Sequence, residues 1–240
     1  MWVSIGFGVL CVVVLVAWIN ALTTPVSRAG APTTTVSPLP ATSPPTPTPV
    51  PTGAESASPT PTPSALPPMK ASGVFDTAGV GVAAASSSGE LRRFALRVET
   101  TAKLKANATG RQVAAVLNDP RSWTGSGGIR FALVADPDRA HFTITLAAPG
   151  TAAKLCKPDA TGTCLDDSDV VISAALWAGG GVGTSFGSSQ EWQAYLVNHA
   201  VGRLLGEKPA TCTKKAKPAP VMMPQSGDLD GCTANAWPYP

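Results

Sequence analysis

A tract rich in proline, threonine and serine occupies residues 23–68 and limits which part of the chain can fold. It includes the runs Thr46-Pro-Thr-Pro-Val-Pro and Pro59-Thr-Pro-Thr-Pro. Proline lacks a backbone donor and favours extended polyproline-II conformations, so such a tract cannot build a packed core. Because small residues remain abundant beyond the tract, we predict a disordered linker over residues 24–89. Residues 90–240 then form the folded domain, which is long enough to bury a core.

The chain begins with an apolar segment, since residues 2–22 carry no charged side chain. About twenty apolar residues span a bilayer as a helix, whereas a cleaved signal peptide has a basic start and a shorter apolar core. We therefore predict a transmembrane helix over residues 1–23 that binds the membrane as an uncleaved, single-pass anchor. The alternative is a cleaved signal peptide and a secreted product.

Four of the five cysteines fall into two local pairs in the predicted domain, and Cys11 lies in the apolar start. An even number of cysteines beyond a membrane-targeting segment indicates disulfides and an extracytoplasmic domain. Of the three possible pairings we predict the local one, Cys156–Cys164 and Cys212–Cys232. A zinc site made of all four cysteines is the alternative, but neither pair has the short gap of a zinc knuckle.

The charge pattern excludes one class of partner. The net charge is only +3, and 15 acidic residues are interspersed among 18 lysines and arginines. Because no basic patch or stripe stands out, we do not expect the protein to bind nucleic acid.

The first part of the domain shows the alternation of apolar and polar residues that is typical of strands. Thr109 is expected to cap a short helix through Gln112–Leu117, which must end before Pro120. Residues 135–139 have turn chemistry, so the two strands beside them are predicted to form a hairpin. We predict structure to begin at Leu91, with strands at Leu91–Val98, Ile129–Val134, His141–Leu146 and Val170–Trp177.

The second part of the domain is predicted to contain a long helix over residues 188–207. Ser188 and Glu191 have the spacing of a capping box, and Pro209 prevents continuation. The glycine-rich residues 178–187 before it are predicted to be a flexible loop, because no P-loop Lys-Ser/Thr follows them. We expect the tail, with Trp237 and its disulfide, to pack back onto the domain.

The helix and tail carry a resemblance to a known family. The run Trp192–Gly206, the segment Pro218-Ala-Pro-Val-Met-Met and the ending Asn235-x-Trp-Pro resemble an uncharacterised actinobacterial family of extracytoplasmic domains that look like metzincin-type zincins. Typical members carry Asn-His-Glu-x-Gly-His-x-Leu-Gly-His-x-His, in which histidines bind zinc and the glutamate is the general base. The resemblance implies an α+β, zincin-like fold, with a small mixed or antiparallel sheet and a long former zinc-motif helix.

The motif is degenerate in this chain. Asn198, His199, Gly202, Leu205 and Gly206 match it, and Met222-Met223 match the methionine turn beneath the metal. The other positions of the motif do not match it. Ala200 stands at the position of the general base, and Arg203, Glu207 and Pro209 stand at positions of histidines.

These departures argue against zinc chemistry. A catalytic zinc needs three protein ligands, and the chain has two histidines. Arginine does not deprotonate to become a ligand, and alanine cannot take a proton from water. We therefore expect no catalytic residue, no cofactor and no zinc, with His199 as a vestigial ligand position. Arg203 is expected to pair with Glu207, Asp228 or Asp230.

The functional interpretation is a membrane-tethered extracytoplasmic pseudo-metallopeptidase that binds or scaffolds at the cell envelope. Its partners would be a cell-wall polymer, a peptide or an envelope protein. The alternatives are a hydrolase with a rebuilt site, using His199 with Glu207 and Asp228, or a purely structural domain. The candidate cleft contains His199, Arg203, Glu207, Met222 and Met223.

Overall fold

The structure is a computed structural model that describes residues 68–159 and 161–240. The predicted transmembrane helix over residues 1–23 lies outside this range, as does most of the predicted linker. Within the described range, every helix is too short or too polar to cross a bilayer.

The described domain is α+β, with one mixed six-stranded sheet and four α-helices. The strands are β1 (Phe75–Thr77), β2 (Glu90–Glu99), β3 (Ile129–Leu133), β4 (Phe142–Ala147), β5 (Thr163–Asp166) and β6 (Asp169–Ser173). Their principal order in the sheet is β1-β2-β4-β6-β5, and β3 also pairs with β2. β2 runs parallel to β3, β4 runs parallel to β2 and β6, and the end strands β1 and β5 are antiparallel to their neighbours.

The hairpin predicted between β3 and β4 is wrong. Both strands run parallel to β2. β3 ends opposite Phe94, and β4 begins opposite the same residue. The chain therefore crosses from one side of β2 to the other and continues in the same direction. Residues Pro137–Arg139 form a 3-10 turn, as their composition suggests, but the turn serves this crossing.

Ordered structure begins before Leu91, contrary to the prediction. β1 lies within the range 24–89 that was expected to be a linker, and Val82 forms a bridge with Leu133. The buried Glu99 carboxylate binds this segment through hydrogen bonds. It accepts hydrogen bonds from the amides of Ser72 and Gly73, although the segment itself lacks a strand pattern.

Glu99 is a fully buried and fully satisfied carboxylate. Beyond the two amides just named, it accepts hydrogen bonds from the amide of Ala148 at 2.7 Å and the Thr151 hydroxyl at 2.8 Å. Burial acts to raise the pKa of Glu99, but these hydrogen bonds together hold that pKa below its usual range. The carboxylate therefore joins Ser72 and Gly73 to the beginning of the second helix.

The helices differ from the predictions at their ends. Thr109 is not a cap: it is buried inside the first helix, and Lys105 holds the N-cap position. That helix does end before Pro120, as predicted. The predicted strand 170–177 ends at Ser173, after which the chain becomes helical. The helices are α1 (Ala106–Leu117), α2 (Pro149–Leu155), α3 (Ala174–Gly179) and α4 (Ser189–Leu204).

Helix α4 is the central helix of the core. The Ser188 hydroxyl accepts a hydrogen bond from the Glu191 amide at 3.2 Å, which confirms the predicted N-cap. Trp192, Tyr195 and Leu196 are at most 1% exposed, and full burial of each such side chain stabilises by about 1.5–3 kcal/mol. Most other residues of α4 are buried as well, so the helix lies in the interior of the domain.

The C-terminal end of α4 is fixed by a Schellman motif. The amide of Glu207 donates to the carbonyl of Gly202 at 2.9 Å, and the amide of Gly206 donates to that of Arg203 at 3.0 Å. Gly206 has φ +84°, a conformation that glycine adopts without a Cβ clash. After this turn the chain leaves α4 next to Arg203, the last charged side chain of the helix.

The tail packs back on the domain, as predicted. Gln225 is fully buried and exchanges hydrogen bonds with the backbone of Asn235. The Arg121 guanidinium lies 4.1 Å from the ring centroid of Trp237. The predicted local disulfides are both confirmed, since Cys156 is bonded to Cys164 and Cys212 to Cys232.

Candidate functional site

A cleft of about 490 Å³ opens beside the C-terminal end of α4. One wall comes from α4 and the turn after it, another from the disulfide-closed loop and β5, and a third from the tail. The cleft is lined by Asp159, Leu165, His199, Arg203, Gly206, Glu207, Lys208, Pro209, Met222 and Pro224.

Asp159 joins two positions of the degenerate motif. Its Oδ2 atom lies 2.5 Å from Nη1 of Arg203 and 3.6 Å from Nε2 of His199. Its Oδ1 atom accepts from the amides of Thr161 at 2.9 Å and Thr163 at 3.3 Å. One carboxylate therefore holds the loop in shape and contacts both His199 and Arg203 of α4.

The surroundings of Asp159 favour its charged form. Burial acts to raise the pKa of Asp159, but the proximity of His199 and the hydrogen bonds from Thr161 and Thr163 outweigh burial. The pKa of this carboxyl is therefore held well below its usual range. The cleft thus contains a permanent negative charge directly against the Arg203 guanidinium.

His199 is buried and fixed in orientation. It is 3% exposed, and its Nδ1 atom lies 2.9 Å from the carbonyl oxygen of Val221. Because a carbonyl only accepts, Nδ1 carries a proton, and Nε2 faces Asp159.

Tyr195 supports the ring of His199 from one turn earlier in α4. Its hydroxyl donates to the carbonyl of Met223 and accepts from the amide of Gln225, both at 2.9 Å. Burial raises the pKa of the Tyr195 phenol above its ordinary value. The phenol therefore acts as a neutral connection between α4 and the tail.

Arg203 pairs with a residue that the sequence did not indicate. The predicted partners Glu207, Asp228 and Asp230 are wrong, because the guanidinium binds Asp159 and the carbonyl of Thr163. The disulfide Cys156–Cys164 brings this loop beside α4. The loop was recognised from its cysteines, but no local pattern shows which residue of α4 it approaches.

The other predicted cleft residues separate into two groups. Glu207 and Met222 line the cleft, and so does Pro209, which was expected only as a degenerate ligand position. Met223 is buried in a different cluster with Ala219 and Leu229. Asp228 does not line the cleft either, and its carboxylate accepts a hydrogen bond from the amide of Asp230.

Ala200 and His141 lie away from the chemistry of the cleft. Ala200 is 1% exposed and packs into the main core. His141 lies at the beginning of β4, where its Nε2 atom is 2.7 Å from Nη2 of Arg93. His199 is therefore the one histidine at the cleft in the described part of the chain. Within residues 68–159 and 161–240, no group of three or more His, Cys, Asp or Glu side chains could hold a metal ion.

Gly202 has a packing role. A Cβ atom at this position would lie 2.5 Å from Met222 Sδ and 2.5 Å from Trp123 Cζ2. The Trp123 indole also donates to the carbonyl of Asn198 at 2.9 Å. Glycine at this position therefore lets Trp123 and Met222 pack directly on the backbone of α4.

The chain belongs to the family described as "Protein of unknown function (DUF3152)", whose model matches residues 62–231. No curated protein matches the chain. No solved structure matches it.

Proposed function

We propose that this protein is a zincin-like pseudo-metallopeptidase that acts as a binding or scaffolding module at the cell envelope. The predicted transmembrane helix over residues 1–23 would tether it, with residues 90–240 extracytoplasmic. The observation that carries the proposal is the position of Asp159, whose carboxylate contacts both His199 and Arg203 at one side of the cleft.

The convergence of the degenerate motif on one cleft supports a zincin-like ancestry. In the resemblance, the zinc ligands occupy the positions of His199, Arg203, and Glu207 or Pro209. All four residues line the same cleft, and Met222 of the methionine-turn positions lies beside them. Residues four positions apart share one face of any helix, so the support comes from Pro209 and Met222, which lie outside α4 and line the same cleft.

The residues at these positions do not fit zinc. The Arg203 guanidinium, which remains charged at all relevant pH values, stands where a second ligand is needed and is bound to Asp159. The general-base position is Ala200, whose side chain has no proton acceptor and packs in the core. Zinc at this site would therefore lack both a full set of ligands and a general base.

What remains is a cleft suited to binding. Its walls include the apolar side chains of Leu165, Pro209, Met222 and Pro224, and charged groups lie at its edge. Concave sites of a few hundred Å³ with apolar walls and few oriented polar groups are typical ligand pockets. We propose a peptide, a cell-wall polymer or an envelope protein as the ligand class.

Metal content provides the first test of the proposal. The purified full chain should contain no stoichiometric zinc after exposure to zinc and gel filtration. The control is His141→Ala, which removes the other histidine of the chain. Stoichiometric zinc that is retained by His141→Ala and lost in His199→Ala would overturn the pseudopeptidase proposal.

Binding to isolated cell envelopes provides the second test. The detergent-solubilised full chain should cosediment with them, and Arg203→Ala should weaken this by about tenfold or more, as for a central charged contact. The control Arg111→Ala removes an exposed arginine of α1 and should bind normally. Equal binding by both variants would exclude the cleft as the binding site.

A hydrolase with a rebuilt site is the second candidate function. The observation that favours it is that Nε2 of His199 faces a carboxylate, although the partner is Asp159 and the expected Asp228 does not line the cleft. Turnover of peptide or glycan substrates that disappears in His199→Ala and persists in His141→Ala would establish it. A folded protein that neither binds envelopes nor turns over substrate would leave the purely structural alternative.

A further inference from the structure

Arg203 uses only part of its hydrogen-bonding capacity within the protein. Its Nη1 atom donates to Oδ2 of Asp159 and, at 3.0 Å, to the carbonyl of Thr163. Neither Nε nor Nη2 has a hydrogen-bond partner within residues 68–159 and 161–240. The side chain is 31% exposed and lines the cleft. The Nε–Nη2 edge is therefore available to a ligand.

This edge has a defined chemical preference. It presents two parallel N–H donors, which match the two oxygens of a carboxylate in a bidentate pair. Because Asp159 and Thr163 already hold Nη1, the guanidinium plane is fixed before a ligand arrives. Preorganisation of this kind reduces the entropy lost on binding.

The charges around the edge favour recognition by geometry over recognition by net charge. Asp159 offsets the charge of Arg203, and the neighbouring Glu207 and Lys208 offset one another at the edge of the cleft. Simple attraction of any anion is therefore weak. The apolar wall beside Arg203 would remain uncovered if a small inorganic anion were the ligand.

We propose that the cleft binds the C-terminal carboxylate of a peptide, held bidentately by Nε and Nη2 of Arg203. The terminal side chain of the peptide packs on Leu165 and Met222 of the cleft wall. This assignment rests on the proposed function, for which it names the ligand class and the atoms that recognise it.

The direct test compares two forms of the same ligand on the unmodified full chain. A library of N-acetylated tripeptides is prepared once with free C-terminal carboxylates and once as C-terminal amides. Binding to the detergent-solubilised protein is measured at equilibrium. We expect the best free acid to bind at least about tenfold more tightly than its amide, because the amide cannot accept two charge-assisted hydrogen bonds.

A variant pair assigns the preference to Arg203. Arg203→Lys keeps the positive charge opposite Asp159 but lacks the planar donor edge, so the preference for the acid should fall at least about tenfold. The control Arg111→Lys, on the exposed face of α1, should leave the preference unchanged. The comparison of acid and amide on the wild-type chain remains informative even if Arg203→Lys does not fold.

The outcomes separate this inference from the proposed function. Equal binding of acids and amides would overturn the carboxylate assignment, as would a preference that survives Arg203→Lys or tighter binding of inorganic phosphate than of any free acid. Envelope binding that depends on Arg203 would still support the binding module in each case. Failure of the wild-type chain to bind envelopes would overturn the proposed function itself.

Discussion

Arg203 Nη1 lies 2.5 Å from Asp159 Oδ2 and thereby connects α4 to the loop closed by Cys156–Cys164. The two residues are 44 positions apart. About a third of each side chain is exposed, so the ion pair alone contributes modestly to stability. Its larger effect is local, because the same carboxylate shapes the loop through Thr161 and Thr163.

Replacing Asp159 by Asn should destabilise the protein because the neutral amide is a weaker acceptor for Arg203 and the loop amides. We expect the free energy of unfolding to fall by about 1–2 kcal/mol, measured by urea denaturation. Asp167→Asn is the matched control: Asp167 is exposed, and its φ of +51° is well tolerated by Asn. Equal stability of the two variants would show that Asp159 does not hold the loop.

Removing the Cys156–Cys164 disulfide should open the cleft. Replacement of both cysteines by Ala releases a loop with a sequence separation of 8, at a cost of about 2.5 kcal/mol in the chain-entropy model. With the loop free, Asp159 no longer covers Arg203. The rate at which phenylglyoxal labels Arg203, followed by peptide mass spectrometry, should therefore rise several-fold.

The second disulfide provides the control for this opening. Replacing Cys212 and Cys232 by Ala releases a longer loop, with a separation of 20 and a cost of about 3 kcal/mol. This loop carries Met222 and Pro224 of the cleft wall but not Asp159, the residue that pairs with Arg203, so labelling of Arg203 should rise less than in the first double variant. Equal labelling in the two double variants would mean that the opening reflects general destabilisation.

Gly202→Ala should destabilise the domain through a clash. The added methyl group would overlap Trp123 and Met222, and overpacking of this kind costs about 1–3 kcal/mol. Gly206→Ala provides a contrast: a Cβ atom at Gly206 would have no other atom within 4 Å, but the left-handed backbone costs about 1 kcal/mol. Calorimetry should show a lower Tm for both variants. Near-UV circular dichroism should show a changed signal from Trp123 in Gly202→Ala alone.

The features that could be predicted from the sequence are those with a local signal. Ser188 caps α4, Pro120 follows the end of α1, and the cysteine pairs were correctly matched. The crossing from β3 to β4 could not be predicted, because the turn at residues 137–139 suits a hairpin equally well. Whether such a turn closes a hairpin depends on the position of β2 between the two strands.

The candidate site shows the same division between local and distant information. His199, Arg203 and Glu207 follow one another at four-residue steps, and all three line one cleft. Asp159 was missed because its relation to Arg203 arises only when the loop folds over α4. Glu99 was missed for a similar reason, since all of its donors lie far away in the sequence.

Glu99 provides a prediction for the acid range. Its pKa is lowered in the folded protein, so its contribution to stability is complete above the unfolded value of about 4.3 and is lost as the pH falls through the lower folded value. The free energy of unfolding should therefore decrease below about pH 4.3. Urea denaturation at a series of pH values measures this acid limb.

Replacing Glu99 by Gln should both destabilise the protein and flatten that limb. The NH2 group of Gln would place a donor against the donating amide of either Gly73 or Ala148, at a cost of about 2–3 kcal/mol near neutral pH. Because Gln does not titrate, the difference from wild type should shrink as the pH falls. Glu90→Gln, at an exposed glutamate of β2, is the control and should retain the wild-type limb. A difference that stays constant with pH would mean that the Glu99 charge does not stabilise the fold.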